Sequence, residues 1–440
     1  MSHAFIVMRM TLRLIMRKGT LWGMLAIIGV LSTLTFSMAR SDGELVKELE
    51  IRLTYSYGLT YSLLSLIVIA LACFTIRSQI DAKNIHLMSS LPINRKWVLL
   101  GQAFALIIIA FIGELVLLAS LGANVWFFSR NYEESEIAAA KEKYLKTRRF
   151  VLPTYKNRKD LTIDYCKKYG IELEGMSEIE WEKNHRRALS EEQLIPAKST
   201  KSWNFNLGEQ PQQGEFLELV YRFQKAKRKE KVSGIFKMTS KDANSYFEQE
   251  IEAHQYSEGK ISIPIGDIPP SGFFTISFEN KGSSSVILTR MGLKAGYIKG
   301  DLSGNLLKSL FCQMGHLSVA VVVGLCAGVG LTFSVASFLV MMLYLLSIGQ
   351  GLFDVLIEDL KFSVAISAMD QLVIGIMEAG AWLTKGLQPP AVIDAISGGM
   401  NISWSYILTS WLPGAVVYGL GAFLLGSWML SNKELDKVQK

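Results

Sequence analysis

Six stretches of the chain, most of them roughly 18–25 residues long, run almost without charge, about the length of helix needed to cross 30 Å of hydrocarbon. Backbone amides in lipid must be bonded internally, and runs this long do so as helices. They read as spans at about 21–38, 59–76, 98–127, 306–329, 333–348 and 404–430, the last interrupted near Pro413-Gly414. The stretch between the third and fourth is different: 54 of the 85 charged residues fall between Arg130 and Asp301. The expected fold is a mainly α-helical polytopic membrane protein with six transmembrane helices, carrying an inserted α+β domain at 129–305.

Within that domain, residues 130–200 are charged and read as helical, in EIAAAKEKYLKTRRF and EIEWEKNHRRALSEEQL. Residues 203–298 instead give short β-rich runs, WNFNL, EFLELVYRF, SGIFKMT, KISIPI, GFFTISF and SSVILTR, parted by Pro269-Pro270-Ser271-Gly272 and Asn280-Lys281-Gly282. That pattern predicts a small antiparallel β-sandwich. Lys225–Lys231, KAKRKEK, reads as a solvated hairpin loop.

Charge asymmetry sets the expected orientation, because basic residues collect in cytoplasmic segments. Residues 1–20 hold four Arg/Lys and no acid, and 77–97 holds Arg77, Lys83, Arg95 and Lys96 against Asp81. Residues 350–404 are acidic, with Asp354, Glu358, Asp359, Asp370, Glu378 and Asp394 against Lys361 and Lys385. Both termini, including the tail 431–440, are then cytoplasmic and 129–305 lies outside the cytoplasm. The net charge of +7 thus speaks for membrane topology and against nucleic acid as a partner.

Residues 1–20 form an amphipathic helix, with Phe5, Met8, Leu12, Ile15 and Met16 on one side and a stripe of Arg9, Arg13 and Arg17 beside them. Such a helix lies in the headgroup layer with its arginines as interfacial anchors toward phosphate. Residues 352–400 are amphipathic, DVLIEDLKF and MDQLVIGIMEAGAWL reading as short external helices or ones that dip into the membrane. They serve either as an external gate or as packed surface.

Two ionisable residues stand inside spans, Glu114 in FIGELVLLA and His316 in CQMGHLSVA, the latter close to the external end. A polar group at that depth is costly unless paired or facing water, so each is a candidate for function, with a hydrogen bond to a neighbouring span as the structural alternative. Catalytic signatures are missing from the sequence: there is no GxxxxGK[ST], HExxH or GxSxG. Four cysteines, Cys73, Cys166, Cys312 and Cys326, show neither CxxC spacing nor histidine clustering, so no metal site is expected. The chain does not read as an enzyme.

The order of features resembles the ABC-2 type transporter permeases. An amphipathic basic helix precedes span one. A polar turn then leads into span three as SSLPINRKWVLLGQ, with Leu91, Pro92, Arg95, Lys96, Gly101 and Gln102 at the family's positions, and the chain ends LLGSWMLSNKEL. Lys433-Glu434-Leu435 stands where the family commonly has Arg-Glu-Leu, and the large inserted domain is also a departure from the minimal pattern. The resemblance implies the permease half of an exporter in a bacterial cytoplasmic (inner) membrane. It pairs with a second copy or a paralogue and with separate ATPase subunits that bind ATP, so no cofactor is held by this chain. It also implies that 77–97 is the coupling segment, with Asp81, Lys83, Asn84, His86, Leu91, Pro92, Arg95 and Lys96 facing the ATPase. A periplasmic partner and the substrate are left open. The competing reading is a non-transporting receptor or envelope assembly factor that binds a ligand through its external β domain.

Overall fold

The computed structural model describes residues 2–17, 19–39, 45–82, 95–208, 216–225, 231–239, 246–253, 258–350, 357 and 368–432. The chain divides into two compact units. One comprises 1–145 and 302–440, and the other Lys146–Asp301.

The first unit is helical: α1 (Ser2–Arg17), α2 (Thr20–Met38), α3 (Leu45–Asp81), α4 (Arg95–Ser129), α5 (Glu134–Leu145), α8 (Leu302–Gly330), α9 (Phe333–Ile348), α10 (Ala368–Thr384), a 3-10 turn (Lys385–Leu387), α11 (Val392–Ser397) and α12 (Leu412–Asn432). Five helices are long and apolar enough to cross a membrane, taking Tyr406–Asn432 as one, and Phe333–Ile348 is a shorter apolar helix. At 1.5 Å per residue, the 16 residues of α9 reach only about 24 Å. Its last turn stops at the level of His316, midway along α8, where the 3-10 turn meets it.

Helix α8 runs parallel to α3, which pairs Tyr57 with Gln313 and Tyr61 with His316. Their closest approach is Gly324-Leu-Cys-Ala-Gly328. A Cβ on Gly324 would lie 2.8 Å from Ala72 Cβ, and one on Gly328 would lie 2.6 Å from Ile76 Cγ2. Lipid gives helices no hydrophobic reason to associate, so small residues that let backbones touch supply the packing.

Contacts fix which helix ends lie together. At one end meet the C-terminus of α3, the start of α4, the α8–α9 junction, the end of α12, and α1, whose Ala4 and Val7 pack on Gly101 of α4. At the opposite end, Arg52 bonds the Phe36 carbonyl of α2 at 2.6 Å, and Asn305 of α8 bonds both Met400 O and Ile402 N.

Two expectations for this unit change. Helix α1 buries Ala4, Val7, Thr11 and Ile15, while Phe5 and Met16 are exposed. The smaller stripe wins because it lies against Gly101, where a Cβ would come within 2.5 Å of Ala4 O. The interruption near Pro413 is a π turn over Tyr406–Trp411, and helix continues on both sides. Pro413 offers no N–H to Thr409, and widening the preceding turn accommodates the loss without ending the span.

The second unit packs two antiparallel sheets on one core. Its elements are β1 (Lys146–Val151), α6 (Arg158–Lys168), α7 (Glu178–Gln193), β2 (Leu194–Ile195), β3 (Thr200–Asn206), β4 (Phe216–Lys225), β5 (Val232–Thr239), β6 (Tyr246–Ala253), β7 (Glu258–Pro264), β8 (Phe273–Asn280) and β9 (Val286–Asp301). One sheet has the order β1-β9-β4-β7, with β2 also on β9, and the other has β3-β8-β5-β6. Alternation along each strand explains the core: Leu217, Leu219, Tyr221 and Phe223 of one sheet meet Phe236, Phe274, Ile276 and Phe278 of the other. Ser177 and Glu180 form a capping box that starts α7.

Strand β4 and strand β5 lie in different sheets. These two strands are therefore not a hairpin pair, and residues 226–230 of the Lys225–Lys231 stretch between them lie outside the described residues. Strand β1 takes KTRRF out of the expected helix because it pairs with β9.

Candidate functional site

Both ionisable residues singled out inside spans are completely buried, and the structure joins them. Glu114 projects from α4, Tyr57 and Tyr61 from one face of α3, and Gln313 and His316 from α8. The Tyr57 hydroxyl lies 2.7 Å from Gln313 Oε1 and 3.2 Å from Glu114 Oε1. The Tyr61 hydroxyl lies 2.7 Å from His316 Nδ1 and 3.3 Å from the Gln313 carbonyl. On the far side of the imidazole, Nε2 is 2.9 Å from the carbonyl of Leu387 in the 3-10 turn, which also accepts the Ser347 hydroxyl at 3.0 Å.

Donor bookkeeping assigns the imidazole. A carbonyl can only accept, so His316 Nε2 carries the hydrogen and Nδ1 accepts from Tyr61. A polar chain thus runs from Glu114 through both tyrosines to the turn that follows α10. It is incompletely paired: among the described residues, Glu114 Oε2, Gln313 Nε2 and Thr60 Oγ1 have no hydrogen-bond partner. An unpaired polar atom in such surroundings costs on the order of 1–3 kcal/mol, so the layer is poorly explained as a device for stability alone. His316 also sits midway along α8 rather than near its end, because the helix begins at Leu302.

The coupling residues fall differently. Lys83, Asn84, His86, Leu91 and Pro92 lie outside the described residues. Asp81 pairs with Arg77 at 2.7 Å on α3. Arg95 turns toward α12, its Nη1 reaching the carbonyls of Leu430 at 3.0 Å and Ser431 at 3.3 Å. Lys96 is exposed, as are Arg9, Arg13 and Arg17 on the side of α1 away from its buried stripe.

Tyr57, Tyr61, Gln313 and Ser347 are additions to what the sequence marks. Tyrosines near span ends read as interfacial anchors, and only their i, i+4 spacing on α3 hints at a shared face. A buried ion pair was also missed: Arg52 bonds Glu48 and the Phe36 carbonyl, Tyr132 donates to the other Glu48 oxygen at 2.8 Å, and the guanidinium lies 4.1 Å from the Phe128 ring centroid.

In the second unit, α6, α7 and β3 bound a cleft of about 390 Å³, lined among others by Tyr155, Tyr165, Lys168 and Trp203. Lys201 donates there to the carbonyls of Glu191, Glu192 and Leu194 at the end of α7. Burial pulls its ammonium below the usual lysine range, while burial and then Glu192 push Tyr155 up to about 12. Among the described residues no group of His, Cys, Asp and Glu could hold a metal.

No family model, curated protein or solved structure matches the chain.

Proposed function

We propose that this protein is the permease subunit of an ABC-2 type exporter in a bacterial cytoplasmic membrane, driven by separately encoded ATPase subunits. On this reading the apolar helices, with the short α9 and the 3-10 turn beside it, make six spans. The end of the bundle holding α1, the end of α3, the start of α4 and the last turn of α12 is cytoplasmic, and the β-rich unit is extracytoplasmic. Two copies, or this chain and a paralogue, form the pathway.

The observation that carries the reading is the gathering of basic segments at one end of the helical unit. The basic helix α1 and the basic flanks of 83–94, Arg77, Arg95 and Lys96, meet there beside the uncharged end of α12, which is where a cytoplasmic motor would dock. The buried chain from Glu114 to Leu387 supports it as a polar layer that helix movement can remake. Nothing comparable is needed by a receptor anchored by its spans.

The test is association. The tagged chain, purified from native membranes in mild detergent, should retain an ATPase carrying a phosphate-binding loop, and the complex in lipid should hydrolyse ATP. A chain that associates with no ATPase contradicts the proposal and favours the receptor reading.

A further inference from the structure

Strand β3 ends its sheet: β8 pairs with it on one side, and among the described residues no strand pairs with it on the other. The register shows which of its backbone groups face that open side. Asn280 N donates to Ser199 O at 2.9 Å and Leu207 N to Gly272 O at 3.0 Å, so the odd-numbered residues bond the β8 side. Alternate residues of an antiparallel strand turn their N–H and C=O to opposite sides, and Thr200, Ser202 and Asn204 therefore present theirs outward. Asn204 O is taken by Thr154 N at 2.8 Å. Among the described residues, the N–H and C=O of Thr200 and Ser202 and the N–H of Asn204 have no partner. Proteins usually cover or blunt such an edge, because it templates pairing with another chain.

This edge opens onto the cleft of about 390 Å³ beside α6 and α7, whose lining includes Ser202, Trp203 and Asn204. Apolar and aromatic surface from Leu161, Tyr165, Ala188, Tyr155 and Trp203 makes up much of the rest. The charged groups there are already paired. Lys156 bonds Asp164, Lys168 bonds Glu191, Arg290 bonds Glu192, and Lys201 bonds the last carbonyls of α7.

We propose that the cleft binds an extended peptide segment of a partner protein, which adds a fifth strand to the four-stranded sheet along β3 and sets one large apolar side chain between Tyr155, Tyr165 and Trp203. Backbone pairing supplies the affinity in such an addition, and pockets for alternate side chains supply the selectivity. The side chains of an added strand alternate between faces, so one set lies on the face that Lys201 and Trp203 share, toward α6 and α7. A neutral segment fits, since the paired charges leave none to neutralise. From Thr200 to Asn204 the edge runs about 14 Å, room for a segment of about five residues. A second copy of this unit is too broad an occupant: Lys201 holds the end of α7 over β3, and Thr154 closes the edge at Asn204. The inference does not depend on the permease reading.

The full chain in lipid nanodiscs is titrated with fluorescein-tagged Thr-Thr-Xaa-Thr-Thr peptides, Xaa being Gly, Leu or Phe, and fluorescence anisotropy is read. The Leu and Phe peptides should bind, and the Gly peptide should bind at least tenfold more weakly. S202P removes an outward N–H that the β8 ladder does not use, as an edge strand tolerates. It should weaken the Phe peptide at least tenfold at an unchanged melting temperature, while S202A, which keeps the backbone group, should bind as the parent does. N-methylation of one alternate set of peptide amides should abolish binding and of the other set should leave it, a result that stands even if S202P does not fold. Equal binding of the Gly and Phe peptides, or tolerance of both N-methylated forms, overturns the proposal. So does the absence of peptide binding, or binding of chitotetraose in place of every peptide, which would make the aromatic cleft a sugar site.

Discussion

Tyr57 is the residue on which the buried layer turns, since its single hydroxyl faces both Glu114 and Gln313. Y57F should lower stability by about 1–3 kcal/mol, because a buried acceptor loses its donor while the ring still fills its space; thermal unfolding of the detergent-purified protein measures it. Gly101 gives a steric counterpart. G101V places a side chain against Ala4 O and Val7, and overpacking of this kind costs about 1–3 kcal/mol. Limited proteolysis should then cut α1 faster than in the parent. In the second unit, the Lys168 ammonium, aided by the Tyr169 hydroxyl, holds Glu191 below the usual carboxylate range. A carboxyl depressed in the folded state contributes stability that is present above its unfolded value, near 4.3, and lost as pH falls through the folded one. Hydrogen exchange should show the α6–α7 pair opening below about pH 4, and E191Q should remove that pH dependence. Glu114 and His316 were legible because ionisable groups in spans are rare. The tyrosines between them were not, because tyrosine is common at span ends for other reasons.

Among the elements, α3 shows how a helix much longer than a bilayer needs its surplus tied down. Its 37 residues extend about 55 Å, and at one end Arg52 and Glu48 lock it to α2 and to Tyr132 beyond α4. R52L should cost about 3–5 kcal/mol by leaving Glu48 buried without its cation, while the double change R52L/E48L should recover much of that. A double-mutant cycle in unfolding experiments checks it; equal losses in the single and double variants would contradict the pairing. Span lengths and most strands could be read from the sequence, since apolar run length and period-two alternation are local. What could not be read depends on partners distant in the chain. Strand β1 exists because β9 accepts it some 150 residues later, and Arg77 and Arg95 find carbonyls 254 and 335 positions away. Strand β6, YFEQEIEA, is not among the β-rich runs of the sequence and forms by pairing with β5.

For the molecule as a whole, the account joins a helical unit with a polar core and tied ends to a separately folded β-rich unit inserted between Leu145 and Leu302. The proposed sidedness predicts that a cysteine at position 94 in whole cells resists a membrane-impermeant maleimide, while one at position 230 reacts; the reverse would invert the topology. The central claim is that an external motor drives this chain. It is tested most directly by ATP hydrolysis of the purified complex in nanodiscs, with maleimide labelling of a cysteine placed at Gln388, next to the 3-10 turn, followed in parallel. The account predicts vanadate-sensitive hydrolysis, and a labelling rate that changes on adding ATP and reverts when vanadate is washed out. A chain that purifies alone, or whose labelling at Gln388 is indifferent to nucleotide in the presence of every copurifying protein, would contradict it.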